Sequence, residues 1–420
     1  MLRKLLPLGL LLLAANASPQ VLPASADPAV MTGFPPPPAK RVTRKTQVDA
    51  ANLHWTLTHM RILLPSIAIR RGPQATEELP IGRSIDLPAF EDIDGTLVRP
   101  EEWLLRTHSD ALLIMHDGKI IFEGYVADMD PAEPHTMQSM TKSFTGLLAG
   151  MLIDEGRIDP QKPISFYVPE LAGSAWGKAT VQQTLDMRAA VRYDEDIKNS
   201  NSDVRRYYGV AAGLFPPPEG YDGPLSIYEL LERLPQDGAH GKGFIYKSVH
   251  PEAIAWVISR VTGQSPAKLI SERIWQPLGM TADAYVTVDP AGIAMMGGGM
   301  SATARDLARF GEMLRQRGRH GPRQIVPARV TDRLFSASAR TALAVPDGSW
   351  ALPGYGYHDF WWLPPEGDII EAHGGFGQHL HINRRARTVI VKFSSAPIGP
   401  EYDLAKRLDT LAFRKIDAAF

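Results

Sequence analysis

Apolar and polar positions change their spacing twice along this chain. The first clear element is "ALLIMHDGKIIFEGY", Ala111 to Tyr125, where two apolar runs flank Asp117-Gly118. Asp-Gly suits a two-residue type I′ turn, so the stretch predicts a β-hairpin. From Ser139 to about Met280 the period becomes helical. Phe144, Leu147, Leu148, Met151 and Leu152 fall at helical spacing, and Gly156 is placed to end that helix. Ile254, Val257, Ile258 and Val261 repeat the pattern between Pro251 and Gly263, and Leu307, Phe310 and Leu314 do so between Ser301 and Gly318. Strand-like runs return in "DIIEAHGG", "HLHIN" and "TVIVKFSS", Asp368 to Ser395, before a last helix over Tyr402–Phe413.

Strands early and late with helices between them predict an α+β fold. Its antiparallel sheet is formed from the N- and C-terminal parts of the chain and flanked by helices, with a mostly helical region inserted. An isolated hairpin is marginal in water, which argues against separate all-β and all-α domains. The boundaries read as a sheet part at about 105–138 and 290–415, and a helical part at about 139–289.

The N-terminus has its own pattern. Arg3 and Lys4 precede "LLPLGLLLLAA" and the small-x-small run Ala15-Asn16-Ala17. That is the layout of a secretory signal peptide, 1–17, and it predicts a periplasmic or secreted protein. The apolar run is shorter than the roughly 20 residues of a spanning helix, so no stable membrane anchor is expected after cleavage. Residues 18–104 open with proline-rich stretches, including "FPPPPAKRVTRK", and read as an arm and lead-in.

Composition narrows the chemistry. The 420 residues are 44% hydrophobic and carry a formal net charge of −1, which gives no electrostatic footprint for nucleic acid or an anionic membrane. There is no cysteine, so disulfides, thiolate metal sites and a cysteine nucleophile are excluded. No cofactor motif is present, and the oligomeric state is not written in the sequence.

Ser-x-x-Lys occurs twice, as Ser139–Lys142 and Ser265–Lys268. Ser265 precedes Pro266 and an amphipathic run, the pattern of an N-cap followed by proline at N1, which leaves Lys268 in solvent. Ser139 lies among Met137, Met140 and Phe144. Residues three apart share a helix face, and partial burial near a helix N-terminus disfavours the ammonium form of Lys142. A less basic lysine can accept a serine proton. The motif alone leaves both readings open, a nucleophile with its base or a helix-opening serine.

Two further stretches bear on that choice. Tyr246-Lys247-Ser248 is the only Tyr-x-Ser in the chain, ahead of the Pro251 helix. Tyr246 is a second candidate proton carrier, against a packing role. In "AHGGFGQHLHI", Gly374, Gly375 and Gly377 would weaken a strand unless something approaches its backbone, and a substrate is such a reason. His373 would project near that groove. In "VRYDEDIKNSNSDVRRYYG", Tyr193, Asp194, Glu195 and Asp196 are candidates for a substrate-contacting loop, against a solvated one. His379-Leu380-His381 puts two imidazoles on one strand face, but a third metal ligand is lacking, so no metal is assigned.

Ser139-Met140-Thr141-Lys142, Tyr246-Lys247-Ser248 and His373-Gly374-Gly375, in this order, resemble the motif series of the serine β-lactamase and penicillin-binding-protein superfamily. The similarity spans about 105–415 and lies with the class C-related branch that includes 6-aminohexanoate-dimer hydrolases and serine esterases. "PLGM" and "GGGMSATARDLARFGEML" also resemble that branch. The resemblance implies Ser139 as acylated nucleophile, with Lys142 and Tyr246 as proton-transfer groups. It places the backbone N–H groups of Ser139 and of Phe376, on the strand after the glycines, at the oxyanion. Ser248, His373, Gly374, Gly375 and Tyr193 would line the substrate.

Two departures matter. Penicillin-recognising members carry Tyr-x-Asn and Lys-Thr-Gly, where a fixed cation meets the substrate carboxylate. Ser248, His373 and Gly374 stand here instead. The expectation is an exported serine hydrolase for small-molecule esters or linear amides. A β-lactamase or D-Ala-D-Ala peptidase is the alternative, followed by a non-catalytic binding protein or a metal hydrolase.

Overall fold

The computed structural model describes residues 18–24, 29–73, 76, 78–336 and 354–420. The signal-peptide reading falls on 1–17, outside the described residues. Among the described residues no helix is long and apolar enough to cross a membrane.

An eight-stranded sheet forms the frame. Its order is Gln20–Leu22, Lys119–Val126, Ser109–His116, Thr388–Ser394, Gln378–Asn383, Ile369–Gly374, Trp361–Leu363 and Gly356–His358. Asp117 and Gly118 both take positive φ, 51° and 77°, as the I′ turn requires. The hairpin's first strand pairs antiparallel with Thr388–Ser394, the last strand along the chain, with Ile114 opposite Ile390, so early and late parts of the chain join in one sheet. The pair Trp361–Leu363 and Gly356–His358 has no counterpart in the predicted elements. Neither has Gln20–Leu22, which pairs parallel with Lys119–Val126 at one edge. The arm is therefore partly built into the sheet.

A second sheet joins the arm to the middle of the chain, in the order Ser66–Ile69, Ala284–Thr287, Met300–Ala302 and His135–Thr136. Helix Ala304–Arg315 is amphipathic and packs on the main sheet, capped by Thr303 at its start. The C-terminal helix Pro400–Asp417 packs against Pro100–Arg106, where Trp103 stands edge-on to Phe413.

Helix Thr141–Asp154 is the centre of the molecule. Every residue from Thr141 to Leu152 is buried, Lys142 included. A helix enclosed on all sides needs small residues where neighbours press in. A Cβ at Gly146 would lie 2.0 Å from the carbonyl oxygen of Asp359. Gly156 ends the helix region at φ 70°, and Gly263 caps Val249–Thr262, which packs beside it, at φ 69°.

Candidate active site

Ser139 sits in the 3-10 turn Gln138–Met140 that leads into helix Thr141–Asp154. The continuing helical path brings Lys142 round to the same side. Lys142 Nζ donates to Ser139 Oγ at 2.7 Å and to the carbonyl of Gly297 at 2.5 Å. Burial of Lys142 is complete rather than partial, with 1% of the residue exposed. That burial lowers its pKa to about 8, although Glu195 and Glu252 pull the other way. Ser265, by contrast, caps its helix by accepting Lys268 N–H, and Lys268 pairs with Glu272 on the surface.

Tyr246 faces the same pair. Its ring centroid is 5.1 Å from Lys142 Nζ. Burial raises the phenol above its ordinary value, while a hydrogen bond with Ser139 works the other way. At neutral pH the phenol therefore holds its proton. Trp362 stacks on Tyr246 at 5.8 Å and 16°, and His373 stacks on Trp362 at 5.5 Å and 17°. Sequence reasoning missed Trp362, although the aromatic run Phe360–Trp362 was visible.

The glycine motif places its parts differently from the expectation in one respect. Phe376 is not on a strand. It lies in the 3-10 turn Gly375–Gly377 between two strands, at φ 66°. The turn forms because the chain must reverse there between paired neighbours, and Gly377 at φ 93° completes the reversal. Gly374 is needed for a close approach: a Cβ there would lie 2.4 Å from the carbonyl oxygen of Met137 and 3.1 Å from Gln138 Cβ. The strand end thus presses on the residues just before Ser139.

His373 is tied from behind. Its Nε2 bonds Glu371 at 2.7 Å, and the other oxygen of Glu371 bonds His381 Nδ1 at 2.7 Å. His381 Nε2 reaches Asp417 at 2.9 Å. Burial would raise the Glu371 carboxyl, but the two histidines hold it well below the usual range. The His379-Leu380-His381 pair thus faces the C-terminal helix, with His379 packed near Phe413, and neither imidazole lines the cavity below. Among the described residues one cluster, Asp186, His358 and Asp359, has ligand-like spacing, and Arg333 and Gln182 already bond Asp359.

Tyr193 is a correction. It is 4% exposed and does not line the cavity; its carbonyl receives Lys247 Nζ, which lies 5.7 Å over the centre of its ring. The loop folds inward against Lys247 and Ser248. Its acid Glu195 goes with it, accepting from Ser248 N–H at 2.9 Å and from Ser248 Oγ at 2.5 Å. Burial raises the Glu195 carboxyl, against Lys142 and Ser248. Glu252 was missed altogether. It accepts from Tyr208 Oη and from the N–H groups of Met296 and Gly297, and burial raises it to about 7.

These groups converge on a cavity of about 620 Å³. Ser139, Tyr246, Ser248, His373, Gly374, Gly375 and Phe376 all line it, with Glu195 and Trp362. Part of its lining comes from the arm, residues 47–64, where no site residue was expected.

A half-buried serine with a buried lysine at the start of a central helix, facing a tyrosine beside a mixed sheet, is the arrangement of the β-lactamase fold. The chain belongs to that family: the family model described as Beta-lactamase matches residues 100–413. Within it, the chain is 33% identical to the 6-aminohexanoate-dimer hydrolase of Paenarthrobacter ureafaciens over 365 residues, 87% of this chain and 91% of that one. A solved candidate 6-aminohexanoate-dimer hydrolase from Bacillus anthracis superposes with a TM-score of 0.84 at 31% identity, covering 91% and 98% of the two chains. A D-stereospecific amidohydrolase from Streptomyces shares the fold, with a TM-score of 0.54 at 19% identity over 72% and 94%. The protein is a hydrolase of the β-lactamase superfamily.

Proposed function

We propose that the protein hydrolyses an ester or linear amide of a small molecule by double displacement through Ser139. The observation that carries this reading is the 2.7 Å contact between Ser139 Oγ and the wholly buried Lys142 Nζ. In its neutral form Lys142 takes the hydroxyl proton as Ser139 Oγ bonds to the carbonyl carbon. The backbone N–H groups of Ser139 and Phe376 receive the developing oxyanion. Tyr246, holding its proton, passes it to the leaving oxygen or nitrogen and is recharged through Lys142. Water then attacks the acyl-enzyme by the same route in reverse.

Preference for substrates without the carboxylate of a β-lactam is supported by the residues that stand where a fixed cation would meet it. No lysine stands at position 373, and Gly374 cannot supply a hydroxyl because there is no room for a side chain. The activity of the Paenarthrobacter relative, as named, is in keeping with a linear amide.

Intact-mass measurement with a slowly deacylating aryl ester tests the reading. Wild type gains one acyl mass, and Ser139→Ala gains none. Acylation of the alanine variant at the wild-type rate would sink it. Faster turnover of a chromogenic cephalosporin than of short aryl esters would move it to the β-lactamase alternative. Export is part of the proposal, supported by the charged, apolar and small-residue run of 1–17. A periplasmic or secreted product beginning at residue 18 is expected on N-terminal sequencing.

A further inference from the structure

We propose that the loop of residues 31–45 is a reversible docking surface for a bilayer that carries anionic phospholipid, with Phe34 entering the interface and the basic side chains beside it meeting lipid phosphates. Docking there is independent of the Ser139 chemistry and rests on the export proposed above, which brings the loop to such a surface.

Met31 N–H donates to the carbonyl of Lys40 at 2.8 Å, and Val42 N–H to the sulfur of Met31 at 3.1 Å, so the loop is closed at its base. Between these ties run Pro35 to Pro38, whose rings fix φ, and the short 3-10 turn Pro38–Lys40. Phe34 stands fully exposed. A lone exposed aromatic is ordinary. This one is carried on a backbone that is already ordered, so burying it at an interface costs little chain entropy.

Its neighbours are cations. Lys40 Nζ reaches back to Thr32 Oγ1 at 3.2 Å, and Arg41 Nε donates to the carbonyl of Pro36 at 2.6 Å. One charged head is thus tied two residues before Phe34 and the other two residues after it. Both side chains are exposed, as is Lys45, while Arg44 is half-buried and bonds the carbonyl of Gly213. A hydroxyl and a carbonyl are uncharged partners, so they do not neutralise Lys40 or Arg41. From 28 to 48 the chain has four basic residues and no Asp or Glu. The formal charge of −1 hides this run because it sums the whole chain. A merely acidic surface would answer the cations alone. A bilayer with anionic headgroups takes the ring as well.

The test is co-sedimentation of the chain starting at residue 18 with two sets of vesicles, phosphatidylethanolamine mixed with phosphatidylglycerol, and phosphatidylcholine alone. Expected for wild type is binding to the anionic set at low salt, at least about tenfold stronger than to the neutral set and released by high salt. Phe34→Ala should weaken it about fivefold. Lys40→Glu with Arg41→Glu should weaken it more than about twentyfold. Lys119→Glu with Lys242→Glu makes the same change in net charge at exposed positions elsewhere, and should bind within about twofold of wild type. Thermal melts and turnover of a water-soluble aryl ester without vesicles should match wild type in every variant. Equal binding to both sets, or none to either, overturns the inference. So do loop variants that bind like wild type, or a distant pair that loses binding as the loop pair does. None of these outcomes touches Ser139: acyl labelling alone decides the hydrolase reading, and the N-terminal sequence decides export.

Discussion

Glu252 accepts the N–H of Gly297 at 2.7 Å, and the carbonyl of that same glycine receives Lys142 Nζ at 2.5 Å. One buried carboxyl therefore holds the loop that holds the lysine. Glycine is required between them, because a Cβ at 297 would lie 2.6 Å from Tyr208 Oη and 2.8 Å from Glu252 Oε1.

Removing the Glu252 charge should make Lys142 a weaker base. Its carboxylate raises Lys142, as Glu195 does, against the larger effect of burial. Its two oxygens accept from different N–H groups, Oε1 from Gly297 and Oε2 from Met296, so Glu252→Gln removes the charge and also turns an amide NH2 toward one of those donors. The acidic limb of the pH profile for kcat/KM should move down by about half to one unit. Because burial raises Glu252 to about 7 and lowers Lys142 to about 8, the wild-type limb is expected to belong to the pair, and the variant should show a simpler single step. An unmoved limb would remove Glu252 from this role.

Activity should rise with pH through the region near 8, because neutral Lys142 is the competent form. Lys142→Met is expected to cost about a thousandfold in kcat/KM and to abolish that limb. Tyr246→Phe should cost about a hundredfold and keep the limb, since the base remains. Stopped-flow acylation with an aryl ester reads both.

Gly374→Ala should damage catalysis without touching a proton. Its added Cβ would meet the Met137 carbonyl at 2.4 Å, so the strand or the Ser139 turn must yield. A displacement near 1 Å at a nucleophile can cost about a hundredfold. The expected result is a fall in kcat of that order, with loss of acyl labelling in the mass assay.

The carboxylates around His381 should make stability depend on pH. Burial opposes the charged imidazole, but Asp417 and Glu371 raise it from 6.5 to about 10. A folded value above the unfolded one stabilises fully below about pH 6.5 and is lost as pH rises toward about 10. Thermal melts of wild type should decline across that window. His381→Gln should melt lower at pH 6 and show a flatter dependence.

Much of this protein was legible in one dimension. Period and punctuation predicted the Asp117-Gly118 hairpin, the helices ending at Gly156 and Gly263, and the closing strands, because local spacing and turn residues act locally. Order also carried weight: Ser139–Lys142, Tyr246 and His373–Gly375 stood as separated motifs, and Ser265 could be set aside by its own proline. The structure brings those separated motifs to one cavity.

Other features depend on distance through space. Of the two acids that bear on Lys142, Glu195 reads as belonging to either a substrate-contacting or a solvated loop, and Glu252 was passed over; burial is a property of packing and leaves no periodic trace. Tyr193 reads as a pocket residue until its loop folds inward around Lys247. The arm has no motif at all, and only the fold brings it to the cavity that Ser139 lines. Sequence determined which side chains could do chemistry; tertiary structure decided which of them are dry, which are paired and what surface the substrate meets, because desolvation and long-range contact are settled only when the chain closes.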